Sequence, residues 1–244
     1  MVQNITDSLK ESMQKDCVHF SRGKLVYLKF KRILDILFSL TGLIVLFPVF
    51  LAVAIAIKLD DPSGSVIYCQ ERIGRMGKPF RLYKFRSMCI GAPELSTQEF
   101  TDSHRYVTRV GRFIRRTSID ELPQLWNVLV GNMSLVGPRP LLPRERRVHL
   151  LRFQYGLYQI RPGITGMAQT HGRDIINDFD KVFWDREYVE NISLWMDVKL
   201  ICSTVFKVVK CEDFAEPGEI AQSVSAEESS DDSGAAFRCT DRVK

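Results

Sequence analysis

The feature that most constrains this 244-residue chain is Ile36–Ile57, a run of 22 residues without a single charged side chain. A helix of that length can cross the hydrocarbon core of a bilayer. A core helix of a soluble protein normally keeps a polar stripe on one face, but here only Ser39 and Thr41 carry a polar side chain. The run therefore predicts a helix that enters a membrane.

Pro48 lies within this run and leaves two topologies open. A proline inside a helix removes a backbone hydrogen bond and bends the axis. The segment either spans the membrane, or it enters, bends near Pro48 and returns to the same face as a re-entrant helix. Seven Lys and Arg residues occur up to Arg32, and Lys58 follows the run. Because these residues favour the cytoplasmic side, the pattern favours a re-entrant helix with both ends in the cytoplasm.

Charge is divided unevenly along the chain. The formal net charge is +5, but residues 211–244 contain nine acidic and three basic side chains, which leaves +11 on residues 1–210. A basic body indicates an anionic partner such as a nucleic acid, a phosphorylated metabolite or a lipid headgroup, although a solvated basic surface would look the same. The six cysteines show no C-x-x-C spacing and are interpreted as reduced thiols.

Composition divides the chain into four segments: a polar leader over 1–28, the membrane helix over 29–59, a folded body over 60–210, and an acidic tail over 211–244 that is expected to be disordered.

Within the body, short strands are predicted at 66–68 and 80–85, and amphipathic helices at 106–116 and 191–210. The helix at 106–116 is basic, and it either lies on a lipid surface or packs against the body. The predicted fold class is α+β, mostly helical, with a small cytosolic domain, interfacial helices and a re-entrant membrane helix.

Asp120 and Glu121 form the most informative polar pair in the chain. Ser118 and Glu121 have the spacing of a capping box, which would place both carboxylates at or just before a helix N-terminus, where anions are favoured. Pro123 could itself mark the first turn of that helix, which leaves its first residue open. Two carboxylates next to Arg115 could bind a divalent cation together with a phosphate. A carboxylate can also attack phosphorus to form an acyl phosphate. Simple helix capping by acidic residues explains the same pattern.

Gly137-Pro138-Arg139-Pro140 is a second unusual stretch. The two prolines stiffen the loop, so Arg139 would be held in place for bidentate contact with a phosphate. A structural turn with a solvated arginine is the alternative, and Arg161–Gly166 has the same ambiguity. The four histidines lack metal-site spacing, and no phosphate-binding loop, dinucleotide fingerprint or nucleophile elbow is found.

Taken in order, these motifs resemble those of the bacterial sugar transferase family, the monotopic phosphoglycosyl transferases. The matching stretches, which lie between residues 29 and 209, are Lys31–Asp35, Gln70–Gly74, Lys78–Phe80, Tyr83–Met88, Ser118–Gln124, Gly131–Pro140 and Arg161–Gly166. The chain resembles the minimal catalytic form, without the additional membrane helices and domain of larger members.

The resemblance implies a role for individual residues. Asp120 matches the catalytic nucleophile and Glu121 its partner, and magnesium, or manganese in its place, would lie at Asp120. Arg139 matches a phosphate-binding arginine. Further positions that match the substrate- and phosphate-binding set are Lys84, Arg86, Arg115 and Asp197, with Asp185 as a rival for the acidic position. Pro48 matches the break of the re-entrant helix, although Phe47 precedes it where some members have serine.

The activity implied by this resemblance is transfer of a sugar 1-phosphate from a nucleotide sugar, usually a uridine diphosphate sugar, to polyprenyl (undecaprenyl) phosphate. It would release nucleoside monophosphate through a covalent aspartyl intermediate, as the first membrane step of surface glycan assembly. The expected location is the cytoplasmic face of the bacterial inner membrane. Expected partners are the donor, the acceptor and membrane lipids, with a homo-oligomer possible and no nucleic acid. A different metal-dependent phosphotransferase or phosphatase, or a non-catalytic membrane adaptor, is the alternative.

Overall fold

The computed structural model describes Val18 and residues 20–92, 106–172 and 177–210. The acidic tail and most of the leader lie outside the described residues, so the predictions for them stay predictions. Within the described ranges, eight α-helices and four short β-strands are present. The predicted α+β class, mostly helical with short strands, is confirmed at this level.

The N-terminal apolar segment forms two helices that meet at a bend. Helix α1 covers Arg22–Val45 and α2 covers Phe47–Asp60, and their axes differ by 58°. Pro48 lies in the first turn of α2, where it lacks an N–H group for the carbonyl of Ile44, and its ring crowds that carbonyl. No single described helix is long and apolar enough to cross a bilayer. Helices α1 and α2 taken together have the length and the apolar composition that a crossing would need.

Helix α1 begins seven residues before the predicted start of the membrane segment at residue 29. Ser21 caps it, since the Ser21 side chain accepts a hydrogen bond from the backbone N–H of Lys24. The predicted leader therefore contains the first two turns of a helix at its C-terminal end.

Strands β1 (Ile67–Ile73) and β2 (Pro79–Phe85) form an antiparallel hairpin. Strand β1 starts close to its predicted position and extends through Ile73, beyond the predicted end at residue 68. The register pairs Tyr68 with Lys84 and Arg72 with Phe80, so these side chains share one face of the hairpin. Buried Leu82 lies on the same face, which therefore points toward the protein body.

The remaining elements form the body beneath the hairpin. The helices are α3 (Arg109–Arg116), α4 (Gln124–Val130), α5 (Arg146–Gln154), α6 (Met167–Thr170), α7 (Asp178–Glu190) and α8 (Leu194–Lys210). Strands β3 (Ser134–Val136) and β4 (Gly163–Thr165) pair in parallel. A hydrophobic cluster that includes Val136, Val148, Val189 and Leu200 joins β3, α5, α7 and α8.

Polar side chains of α1 hold this helix to three separate parts of the body. Lys31 Nζ lies 2.6 Å from Asp197 Oδ2 in α8. Arg32 donates to the carbonyls of Val128 and Leu129 at the end of α4, at 2.6 and 2.9 Å. Asp35 accepts from the backbone N–H of Leu135 at 3.0 Å. The lysine and arginine that precede the apolar run are therefore contacts to the protein as well as flanking charges.

Two amphipathic helices expose apolar side chains. In α3, Ile114 is buried against a cluster that includes Val53 and Ile57 of α2, while Phe113 is 61% exposed. One side of α3 therefore packs on the body, as one of the two alternatives predicts, while contact of its exposed side with lipid stays a prediction. In α8, the exposed apolar side chains are Leu194, Trp195, Val198, Val205 and Phe206.

Candidate active site

Asp120 and Glu121 lie in a short 3₁₀ turn, Ile119–Glu121, between α3 and α4. Asp120 is 9% exposed, so its carboxylate is largely removed from bulk water. The turn begins at Ser118, whose φ of 54° lies in the left-handed region that most residues avoid. Such a conformation is held only where the surrounding structure requires it, and it often marks a functional site.

The predicted capping box does not form. Ser118 makes no side-chain cap, and helix α4 begins only at Gln124. The reason is Pro123: a helix that started next to Ser118 would need an N–H donor at residue 123 for the carbonyl of Ile119. Instead, the N–H of Leu122 bonds this carbonyl at 3.1 Å, which closes a 3₁₀ turn. The carboxylates therefore lie on a turn just before helix α4, which confirms the predicted placement at or just before a helix N-terminus.

Lys84 on β2 joins the hairpin to this turn. Its Nζ lies 2.7 Å from Glu121 Oε1, and both side chains are about one-fifth exposed, at 22% and 21%. The ion pair leaves Glu121 anchored and places a fixed positive charge next to the pair of carboxylates. The structure thus brings together three of the residues predicted for the site: Asp120, Glu121 and Lys84.

Arg72 on β1 is a residue of this region that the sequence analysis did not single out. It donates from Nε and Nη2 to Gln70 Oε1, at 3.1 and 2.6 Å, and from Nη1 to the carbonyl of Pro140 at 3.1 Å. Burial and the positive charge of Arg139 lower the pKa of Arg72 to about 10, while Glu121 and Glu145 oppose that effect. Arg72 therefore lies within electrostatic reach of both the carboxylate pair and the Gly137–Pro140 loop, which we call the arginine loop.

The signal for Arg72 was present in the sequence. The residue belongs to the Gln70–Gly74 stretch. It lies two positions after Gln70 and four after Tyr68, so the three side chains share one face of β1. In the antiparallel register this alternation puts it on the face of the hairpin that also carries Lys84.

Arg139 is half-buried in the Gly137–Pro140 loop that follows β3. The backbone of this loop is packed directly against the second Gly/Pro loop. A Cβ atom at Gly163 would lie 2.1 Å from the backbone nitrogen of Gly137, and one at Gly166 would lie 2.2 Å from the Gly137 carbonyl oxygen. The glycines of Arg161–Gly166 are thus needed for close approach. The second loop therefore packs against the backbone of the arginine loop at Gly137.

Arg115 lies at the end of α3, next to the carboxylate turn. Its side chain is half-buried, and its carbonyl accepts from the N–H of Ser118 at 3.1 Å. Arg115 is therefore joined through its backbone to the residue that precedes the carboxylate turn, as expected for a basic residue at the edge of the site.

Two residues of the predicted phosphate-binding set are committed elsewhere. Arg86 follows β2, is 8% exposed, and donates to the carboxylate and carbonyl of Asp61, just after α2. Asp197 is 5% exposed, and its carboxylate accepts from Tyr27 and Lys31 at 2.6 Å and from Tyr188 at 2.7 Å. Both residues hold elements of the fold together, so a contact of either with substrate has no support in this geometry.

Asp185, the predicted rival of Asp197, is also buried. Its Oδ2 accepts from Arg152 Nη2 at 2.5 Å, and burial raises the pKa of Asp185 while Arg152 opposes this. Arg152 donates in turn to the carbonyl of Arg139 at 2.7 Å. Of the two acidic residues, Asp185 is therefore the one that the structure connects to the arginine loop.

The carboxylate pair is compatible with magnesium. Among the described residues, no group of three or more His, Cys, Asp or Glu side chains comes together. Magnesium is often bound by one or two carboxylates plus water and substrate phosphate oxygens, so a complete protein cage is not required. Asp120, whose carboxylate is largely buried on this turn, is the residue that would hold it.

A buried aspartate, an adjacent glutamate–lysine pair and arginines held by backbone contacts define a site suited to phosphoryl chemistry, which depends mainly on positioning and charge neutralisation. The chain belongs to the bacterial sugar transferase family, whose sequence profile matches residues 26–211. The resemblance inferred from the motifs is confirmed by this match.

Named relatives agree with this assignment. The chain is 38% identical over 218 residues to the UDP-N-acetylgalactosamine-undecaprenyl-phosphate N-acetylgalactosaminephosphotransferase of Aeromonas hydrophila, covering 84% of the chain and 50% of that protein. It is 41% identical over 184 residues to the UDP-glucose:undecaprenyl-phosphate glucose-1-phosphate transferase of Escherichia coli K12, covering 72% and 39%. A UDP-galactose-lipid carrier transferase of Erwinia amylovora is 36% identical over 195 residues, covering 74% and 40%. The chain spans half or less of the length of these relatives.

Proposed function

We propose that this protein transfers a sugar 1-phosphate from a uridine diphosphate sugar to undecaprenyl phosphate and releases uridine monophosphate. The observation that carries the proposal is the placement of Asp120, a largely buried carboxylate, beside the Glu121–Lys84 pair. The family and the names of the relatives support the same reaction class.

In the proposed first step, a carboxylate oxygen of Asp120 attacks the sugar-bearing phosphorus of the donor. A bond forms between that oxygen and phosphorus, and the bond from phosphorus to the bridging oxygen breaks, so uridine monophosphate leaves with the electron pair. Arg139 binds the diphosphate and offsets its charge as the leaving group develops. Lys84 keeps Glu121 in place and adds positive charge next to the reacting group.

In the second step, a phosphate oxygen of undecaprenyl phosphate attacks the same phosphorus. The acyl phosphate bond breaks, the Asp120 carboxylate is regenerated, and a diphosphate links the sugar to the lipid. Glu121 accepts the proton that remains on the acceptor phosphate. Splitting the reaction in this way allows the water-soluble nucleotide to leave before the lipid binds.

Asp120 would hold magnesium, or manganese in its place, and the bound cation would offset the negative charge of the diphosphate. The residues of the chain bind, orient and exchange protons, and the metal supplies only charge neutralisation.

The acceptor places the reaction at a membrane, and we propose that α1 and α2 enter it as a re-entrant pair. Support comes from the 58° bend and from the apolar side chains that these helices expose, among them Leu37, Phe38, Ile44, Phe47 and Leu51. Exposed apolar residues of α3 and α8 would lie at the headgroup level. With both ends of the pair on the cytoplasmic face of a bacterial inner membrane, the carboxylate turn faces the soluble donor.

The sugar is left open by this proposal, because the relatives are named for N-acetylgalactosamine, glucose and galactose. Each of these names combines a UDP sugar with a lipid carrier, and we place the step at the start of the assembly of a lipid-linked glycan.

The decisive experiment is a single-turnover assay with the purified chain and a panel of uridine diphosphate sugars, without lipid. We expect a burst of up to one equivalent of uridine monophosphate and an added sugar phosphate on Asp120 in quenched intact-protein mass spectra. Asp120→Asn should remove the burst and lower turnover by at least about a thousandfold. Asp180→Asn, an exposed carboxylate on α7, is the matched control and should behave like the wild type.

Two results would contradict the proposal. Sustained release of phosphate or nucleotide that does not depend on undecaprenyl phosphate would identify a phosphatase instead. Intersecting double-reciprocal kinetics, with neither a burst nor an adduct, would indicate direct transfer in a ternary complex.

A further inference from the structure

Two consecutive carbonyl groups of the arginine loop accept hydrogen bonds from two different arginine side chains. Arg152 Nη1 donates to the Arg139 carbonyl at 2.7 Å, and Arg72 Nη1 donates to the Pro140 carbonyl at 3.1 Å. Arg152 comes from α5 and Arg72 from the β1–β2 hairpin, so the loop is held by two separate elements.

Each of these arginines is itself fixed by a second partner. Arg152 Nη2 contacts Asp185 Oδ2 at 2.5 Å, and the two side chains are only 3% and 1% exposed. Arg72 uses Nε and Nη2 to grip the side-chain oxygen of Gln70. A planar guanidinium that is held on one edge presents its remaining N–H groups in a fixed direction. Both donors are therefore set before any ligand binds.

The backbone of this loop has little freedom apart from these contacts. The rings of Pro138 and Pro140 fix two of the φ angles, and Pro140 restricts the backbone of Arg139 to extended geometry. Bonds to the carbonyls of Arg139 and Pro140 then fix the orientation of the peptide planes. The direction in which the Arg139 side chain leaves the loop follows from those planes.

Burying charged groups is costly unless they are paired and hydrogen-bonded, and Arg152 is almost fully buried. A side chain at that depth cannot be a surface contact for a phosphate. Arg152 can therefore affect the site only through its contact with the arginine loop. Asp185 holds Arg152 in place and, in the described contacts, touches no part of the carboxylate turn.

We propose that Arg72 and Arg152 are positioning residues that act through Arg139, by clamping its loop so that its guanidinium is aligned with the diphosphate of the donor. This inference rests on the proposed function for the identity of the ligand. It assigns to Asp185 and Gln70 the supporting task of orienting the two clamping arginines.

The test is a pair of double-mutant cycles, each read out by the affinity for inorganic pyrophosphate and by the burst of uridine monophosphate. Arg72→Lys and Arg152→Lys keep the positive charge but lose the planar fork, and each is combined with Arg139→Ala, which leaves the carbonyls in place. Arg75→Lys is the matched control, because Arg75 on the same hairpin also donates to a backbone carbonyl, that of Gln159 at 2.8 Å.

We expect each single lysine variant to weaken pyrophosphate binding and slow the burst by about tenfold, the order that a small displacement of a binding group produces. In the Arg139→Ala background the same changes should have an effect of less than about twofold, since the group they position is absent. The control should match the wild type in both assays. Thermal melts identify any variant that does not fold. If Arg152→Lys does not fold, the cycle with Arg72→Lys alone tests the inference.

Losses of equal size in both backgrounds would overturn the inference, because they would mean a general structural effect or a direct contact of the clamping arginine with the ligand. Unchanged pyrophosphate binding in Arg139→Ala would also overturn it. If the cycles behave as expected in the binding assay while the wild-type protein produces no burst, the clamp stands and the proposed transfer reaction is what fails.

Discussion

Lys84 Nζ and Glu121 Oε1 lie 2.7 Å apart, and this pair connects the β1–β2 hairpin to the turn that carries Asp120. The contact joins residues 37 positions apart in the chain, so the geometry of the carboxylates depends on the hairpin. Both side chains retain some exposure, which reduces the contribution of the pair to stability.

Replacing Lys84 by methionine should therefore impair activity more than stability. We expect turnover to fall by about 10–100-fold, since Glu121 loses its anchor and the site loses a positive charge, while the free energy of unfolding changes by about 1 kcal/mol or less. Lys78→Met, at an exposed position of the same hairpin, is the control. An equal loss in both variants would mean that surface charge, rather than the contact with Glu121, is responsible.

Asp197→Asn should destabilise the fold, because its carboxylate pairs with buried Lys31. Breaking a buried pair of this kind costs about 3 kcal/mol, which a lowered melting temperature would reveal. Activity measured well below that temperature should recover most of the wild-type value. A variant that melts like the wild type but is inactive at every temperature would instead restore the predicted role of Asp197 at the substrate.

Gly163→Ala should disturb the arginine loop through overpacking. The added methyl group would lie 2.1 Å from the Gly137 nitrogen, so the two loops must separate, at a cost of about 1–3 kcal/mol. Binding of pyrophosphate should weaken with the displacement of Arg139. Gly23→Ala, in an exposed turn of α1 where the nearest atom is 4.0 Å away, should be neutral or stabilising. Unchanged binding in Gly163→Ala would mean that the second loop does not support the first.

Asp61 should make stability depend on pH in the acidic range. Hydrogen bonds from the hydroxyl and backbone N–H of Ser63 lower the pKa of Asp61, with Arg86 adding to the effect. The folded state therefore holds this proton less tightly than the unfolded state, so the stabilisation is complete above the ordinary pKa of 3.8 and disappears as pH falls through the lowered value.

Melting curves of the wild type and Asp61→Asn between about pH 2 and pH 7 would check this expectation. The difference in melting temperature should be constant at neutral pH and should close as Asp61 takes up its proton. Ser63→Ala should shift the closing point to a higher pH. A difference that does not change with pH would show that the carboxylate contributes nothing that its amide lacks.

Pro48→Leu should favour one continuous apolar helix in place of the bent pair. A cysteine introduced at Asn4, in a variant without the six native cysteines, should resist an impermeant thiol reagent in intact cells when Pro48 is present. Loss of the proline should increase labelling, since a straight helix would carry the N-terminus across the membrane. Strong labelling with Pro48 intact would identify a spanning helix, and Pro62→Ala, beyond α2, is the control.

Patterns that depend on near neighbours were predictable from the sequence. The strand-like residues at 80–85, which follow a turn rich in Gly and Lys, predicted β2, and the apolar spacing in 191–210 predicted α8 nearly to its ends. The run around Pro48 predicted a bent helix, because proline acts on the turn that directly precedes it. The capping box at Ser118 does not form for the same reason, and the alternative that Pro123 marks the start of the helix agrees with the structure, in which the helix begins at Gln124.

Contacts between distant residues could not be predicted in this way. Lys31 and Asp197 are 166 positions apart, and nothing in the local pattern of either residue indicates its partner. The commitment of Arg86 to Asp61 is equally invisible, because a basic residue next to a motif looks the same whether it binds a ligand or a carbonyl. For arginines in particular, the role depends on which acceptors the fold brings within reach.

Arg32 of α1 donates hydrogen bonds to the last carbonyls of α4. This contact bears on whether the catalytic body can fold without α1. Removing the first helix would leave the carbonyls of Val128 and Leu129 without these donors and would expose the side of α4 that follows the carboxylate turn. The contacts of Arg32 therefore make α1 part of the folded body, and a fragment that starts after Asp60 is not expected to be a working enzyme. With the proposed re-entrant insertion of α1 and α2, anchorage and chemistry would belong to one folding unit, and every turnover would take place at the surface of a bilayer.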